Sequence, residues 1–220
     1  MPPLTPVTRA LLIAMVLGFA FQQWRGEAAL AWFALWPFDL DRTILVDGSS
    51  FRLSFQPWQM LTYALLHGGF MHLLFNSIAL WSFGGAVEHR LGARRYLAFF
   101  VACVLGSALA QLLTLPEAGP GQALTPTVGA SGGIYGVLIA FAMFFPRARM
   151  MLVFPPISMP AWLLVLLFIG ADLALGLGRV STGIAHFAHL GGALTGVLLL
   201  LAWHRIPQHR GPPRDPPSPM

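Results

Sequence analysis

The feature that most restricts this chain is the recurrence of apolar stretches close to the ~20 residues a helix needs to cross a hydrocarbon core. Six can be drawn, over residues 8 to 24, 69 to 87, 94 to 114, 131 to 146, 158 to 177 and 185 to 204. Lipid offers no water to unpaired backbone groups, so stretches of this kind read as helices. The 220 residues are 56% hydrophobic and 10% charged, with a mean hydropathy of +0.70. That balance lies outside the range of soluble globular domains. The expected fold is an all-α polytopic membrane protein, one six-helix bundle over residues 1–206, with a Pro-rich, disordered cytoplasmic tail at 207–220. The first stretch follows Arg9 as a signal peptide would, but lacks a clear small-x-small cleavage site and is read as a helix.

Charge placement gives an orientation. The formal net charge is +5 and every basic residue is Arg. A nucleic-acid partner would call for these residues on one face or run. Instead they sit at the ends of apolar stretches, so no nucleic acid is expected. With both termini cytoplasmic, inner segments carry nine (Arg9, Arg90, Arg94, Arg95, Arg147, Arg149, Arg205, Arg210 and Arg214) and outer segments four (Arg25, Arg42, Arg52 and Arg179). This is the positive-inside bias, and it points to a multi-pass protein of a bacterial inner membrane. Residues 25 to 68 are rich in aromatics but interrupted by Asp39, Asp41, Arg42, Asp47 and Arg52. They are expected to form a partly membrane-embedded loop with short helices. The single cysteine, Cys103, permits no disulfide within one chain and reads as packing.

Polar residues inside apolar spans are costly and are therefore functional suspects. They gather in HGGFMHLLFN (His67, His72, Asn76), VGASGGIYG (Ser131, Tyr135) and GIAHFAHLGGALTG (His186, His189). Helical spacing puts His72 with Asn76, Ser131 with Tyr135, and His189 with Gly192 and Gly196 on shared faces. Gly132 with Gly136 and Gly192 with Gly196 form two GxxxG pairs, which let helices approach closely in lipid. Ser131 could then meet His189, a neutral imidazole able to take its proton. Backbone N–H groups at the start of the fourth span, with His72 and Asn76, could hold an oxyanion.

Plainer readings stand beside these. Ser131 reads as a small residue at a packed helix start, and His72 and Asn76 as interhelical hydrogen-bonding groups. His67 reads as loop support and His186 as packing or hydrogen bonding, although His186 lies one turn from His189 and competes for the role of base. Glu88 and Arg90 read as an end-capping and orienting pair. Several histidines also admit zinc or haem, but there is no HExxH pair and no carboxylate near them in sequence, so no metal or other cofactor is expected.

Taken together, HGGFMHLLFN, GGAVEHRLG, GASG with Tyr135, and AHLGGALTG resemble the rhomboid intramembrane proteases across nearly residues 8 to 204. The resemblance implies a six-helix rhomboid bundle and a serine endopeptidase cutting transmembrane proteins in or near their spans, in contact with membrane lipids. By position it implies Ser131 as nucleophile, His189 as base and then acid, His72 and Asn76 at the oxyanion, and Tyr135 stacked on His189 to orient it. It implies a dyad without a carboxylate, and Asp172, the one acid in the late spans, receives no role. The fifth span and GLGRVSTG (residues 176 to 183) read as gate elements. The sequence departs from the family's frequent Trp-Arg pair, having Gln59 after Trp58. Two non-enzymatic readings compete: a pseudoprotease of the same superfamily, which typically lacks the serine or the histidine, and a transporter, which would show inverted repeats.

Overall fold

A computed structural model describes residues 4–46, 48–114, 125–151, 156–178 and 185–204. The Pro-rich tail and the gate segment beyond Gly178, Arg179 included, lie outside the described residues. In chain order come α1 (Pro6–Arg25), α2 (Glu27–Phe33), β1 (Asp41–Val46), β2 (Ser49–Ser54), α3 (Gln59–Thr62) running into a 3-10 turn at Tyr63–Leu65, and α4 (Phe70–Leu91). Then follow α5 (Ala93–Thr114), α6 (Ser131–Phe144), β3 (Arg149–Met151), β4 (Ser158–Pro160), α7 (Ala161–Leu177) and α8 (His186–His204).

A helix lies over each of the six apolar stretches. Four of them, α1, α4, α5 and α8, are long and apolar enough to cross a membrane. The other two are shorter, 14 residues in α6 and 17 in α7. Prolines explain the trimming: Pro146 follows the end of α6, and Pro160 keeps Ser158 to Pro160 extended, paired with Arg149 to Met151.

The expectation of an all-α chain is corrected by two small antiparallel hairpins. In the first, β1 and β2 pair from Asp41 opposite Ser54 to Val46 opposite Ser49. Opposite residues of an antiparallel pair share a face, and Ile44, Phe51 and Leu53 form the side packed with Ala31, Trp36 and Leu40, while Gly48 at φ 76° takes the left-handed conformation that favours glycine. The Arg52 guanidinium grips the Asp41 carboxylate at 2.7 Å across the pair and holds that carboxyl below its usual range. Short helices are also present in this first loop, as expected.

The bundle is organised around α6. Nine of its fourteen residues are buried, with α4, α5, α7 and α8 packed against it. Two of its glycines, Gly132 and Gly136, face Gly192 and Gly196 of α8. A Cβ on Gly192 would collide with the Gly132 carbonyl, and one on Gly196 would lie 3.1 Å from the Gly136 Cα. Cys103 of α5 is fully buried against Gly136, a packing residue as anticipated.

The Glu88 and Arg90 pair does something other than cap its own helix. Glu88, 3% exposed at the end of α4, accepts hydrogen bonds from Val7 N–H (3.0 Å), Thr8 N–H (2.8 Å) and the Thr8 hydroxyl (2.9 Å). It thereby satisfies orphan donors at the start of α1 with charge of the favourable sign. Arg90 lies over the Phe144 ring.

Gly192→Val should lower thermal stability by about 1–3 kcal/mol or more, because backbone rather than a movable side chain occupies the space. Gly170→Ala, with no atom within 4 Å of an added Cβ, should leave the melting temperature unchanged. Glu88→Gln should cost about 1–3 kcal/mol by leaving a buried α1 donor unpaired. Thermal unfolding in detergent checks all three.

Candidate active site

Ser131 is the first residue of α6, where N–H groups lack intrahelical partners. The segment leading to it is held on two sides. Leu35 and Thr127 exchange both backbone hydrogen bonds at 3.0 Å, and Gly129 N–H donates to Tyr63 C=O at 2.9 Å. Tyr63 in turn donates its hydroxyl to Val104 C=O at 2.9 Å. Gly129 has φ 120°, and a Cβ there would lie 2.7 Å from His72 Cε1. Glycine is needed on both counts.

The first loop is fixed by Gln59, the residue that stands after Trp58. It is fully buried, accepts from Gln56 N–H at 3.1 Å and Trp36 N–H at 3.4 Å, and donates to Ser54 C=O at 3.3 Å. Trp58 donates to Trp32 C=O at 2.9 Å. An uncharged amide thus ties the loop where the resemblance suggested an Arg.

The close approach of α6 and α8 brings Ser131 Oγ to 2.8 Å from His189 Nε2. Tyr135, one turn along α6, stacks on the His189 ring at 4.3 Å between centroids and 12° between planes. On α4, His72 and Asn76 face the same turn. His72 Nδ1 accepts from Gly68 N–H at 3.2 Å, so its proton resides on Nε2, which points toward Gly129. Asn76 is buried, and its Nδ2 has no hydrogen-bond partner among the described residues. The arrangement offers a hydroxyl, a base and two side-chain donors in one place.

His67 behaves as loop support. Its backbone exchanges two hydrogen bonds with the Gln22 amide of α1, at 2.8 and 2.9 Å, and its ring meets those of Phe19 and His72 edge-on. Burial pushes its imidazole down to about 4, so it is neutral beside His72 at physiological pH.

One expectation fails on geometry. No carboxylate was anticipated near His186 and His189, yet Asp172 of α7, 5% exposed, lies 2.6 Å from His186 Nδ1 and 3.2 and 3.3 Å from His189 Nδ1. His186 therefore has a hydrogen bond, as the plainer reading held. The missed signal was the cost of an acid within an apolar span, which applies to Asp172 as it does to Ser131. Fourteen residues of separation concealed the contact.

A profile of the Rhomboid domain family matches residues 54–206. The chain is 33% identical over 135 residues, 61% of its length, to Rhomboid protein 1, mitochondrial, of Saccharomyces cerevisiae, covering 38% of that protein. It is 32% identical over 139 residues, 63% of its length, to Rhomboid protease GluP of Bacillus subtilis, covering 24% of that protein. It thus spans well under half the length of these relatives.

A fluorophosphonate should label Ser131, because labelling needs an activated hydroxyl. His189→Ala should slow labelling about 100-fold or more, and Ser131→Ala should abolish it. Mass spectrometry of the labelled peptide reads both outcomes.

Proposed function

The chain belongs to the rhomboid family and is an integral membrane protein, and from that premise we propose that it is an intramembrane serine endopeptidase acting on transmembrane proteins. The observation that carries the reading is the 2.8 Å contact between Ser131 Oγ and His189 Nε2, made between two helices of an apolar bundle. Ser131 attacks the scissile carbonyl carbon while its proton passes to His189 Nε2. The oxyanion accepts from His72 Nε2–H and Asn76 Nδ2–H, the second of which has no other partner among the described residues. His189 then protonates the leaving amine, and water, giving its proton to His189, hydrolyses the acyl-enzyme. Tyr135 keeps the imidazole plane fixed through these transfers.

All six helices span in this reading, within a protease domain of residues 1–206 and with a cytoplasmic tail at 207–220. The termini face the cytoplasm of a bacterial cell, in line with the Arg distribution. The 14 residues of α6 cover about 21 Å of an about 30 Å hydrocarbon core. Ser131 then lies below the outer membrane surface. Only four of the seventeen residues of α7 are buried, which favours α7 as the side where a substrate helix arrives. That helix must unwind before its carbonyl is open to attack, because helical backbone groups are shielded.

Cleavage of a generic transmembrane substrate in liposomes should survive EDTA and disappear in Ser131→Ala and His189→Ala, both folded. Wild-type rate in either variant would sink the assignment. An inert wild type that still captures helices would instead identify a pseudoprotease. Gly or Pro at the top of the substrate helix should speed cleavage, and an unchanged rate after replacement by Leu would refute the unwinding step.

A further inference from the structure

We propose that Asp172 and His186 form a positioning pair that fixes the proton on His189 Nδ1 and so keeps Nε2 free to take the Ser131 proton. The inference rests on the serine protease reading and adds to its two-residue centre a carboxylate shared between two imidazoles.

An ionised carboxylate only accepts hydrogen bonds, so an imidazole nitrogen facing it must carry a proton. At 3.2 and 3.3 Å, His189 Nδ1 lies almost equally far from the two Asp172 oxygens. Its proton is therefore held on the α7 side, and the Nε2 lone pair is left toward Ser131 Oγ at 2.8 Å. The opposite tautomer would set an N–H against the Ser131 hydroxyl and a lone pair against the carboxylate. That opposite tautomer cannot take a proton from serine.

A carboxylate with one partner could rotate away. His186 prevents this by donating from Nδ1 to Oδ1 at 2.6 Å, the shorter of the two imidazole contacts. His186 and His189 occupy successive turns of α8, so the carboxylate is gripped along one helix face. Tyr135 of α6 brings its hydroxyl into the neighbourhood of the same carboxylate. Asp172 and His186 are 5% and 6% exposed, and such burial of an acid is tolerable only with donors of this kind.

A structural strut between α7 and α8 would use the same contacts, so the test must separate positioning from folding. With full-length protein in detergent, Asp172→Asn should lower kcat about 100-fold or more, with KM within about twofold of wild type, because the amide can place an N–H against His189 Nδ1. Fluorophosphonate labelling of Ser131 should slow in parallel, and Asp172→Glu should restore part of both rates. His186→Asn, which retains an N–H donor, should keep kcat within about threefold, while His186→Leu should lose about tenfold at an equal melting temperature.

A folded Asp172→Asn protein with kcat within about threefold of wild type would overturn the proposal, while an inert Ser131→Ala beside it would leave the protease reading intact. Should Asp172→Asn fail to fold, the His186 variants decide, and equal kcat in His186→Asn and His186→Leu overturns the pair. A wild type without activity, or an active Ser131→Ala, removes the protease reading and this inference with it.

Discussion

The Gly132 carbonyl occupies the space that any side chain at Gly192 would need, and one turn further along Gly136 and Gly196 meet in the same way. In lipid no hydrophobic force draws helices together, so close packing of α6 on α8 depends on these two hydrogen-for-side-chain sites. The separation of Ser131 from His189 is a consequence of that backbone contact. A bulkier seam would part the helices by more than the slack in a 2.8 Å hydrogen bond. Tyr135 depends on the same seam, since its stacking distance is set by how far α6 stands from α8.

The first loop contributes from the opposite side. Gln59 gathers Trp32, Trp36, Ser54 and Gln56 into one polar knot, and the Leu35 to Thr127 exchange connects it to the segment before Ser131. The serine is therefore braced by the first loop at its approach and by α8 at its side chain. Backbone pairing at Thr127 and Gly129 leaves little freedom to the turn from which α6 begins. His72, pressed against Gly129, shares that constraint.

Much of this was legible in the sequence, because the physics that produces it is local or periodic. Apolar length located all six helices to within a few residues, and GxxxG spacing anticipated which faces meet. Polar residues in apolar surroundings singled out Ser131, Tyr135, His189, His72 and Asn76, which the fold brings together. What escaped was nonlocal or depended on turns. The Asp47-Gly48 dipeptide is a hairpin signal in the sequence, but two residues weigh little beside the aromatic runs around them. Pro160 carried the start of α7 past the apolar boundary. Asp172 met the same criterion of costly burial as the other site residues, but its partners lie on another helix and no periodicity connects them. Glu88 was read against its own helix although its acceptors serve α1.

That last contact bears on how the protein is assembled. Thr8 N–H and Val7 N–H find their acceptor 80 and 81 residues later in the chain, and Gln22, near the other end of α1, pairs with a backbone 45 residues ahead. Between these ends α1 buries little, with Thr8, Met15 and Gln22 on one narrow stripe. A chain made from its N-terminus presents the Val7 and Thr8 amides 81 and 80 residues before their acceptor, so they have no protein partner until Glu88 at the end of α4 has been made.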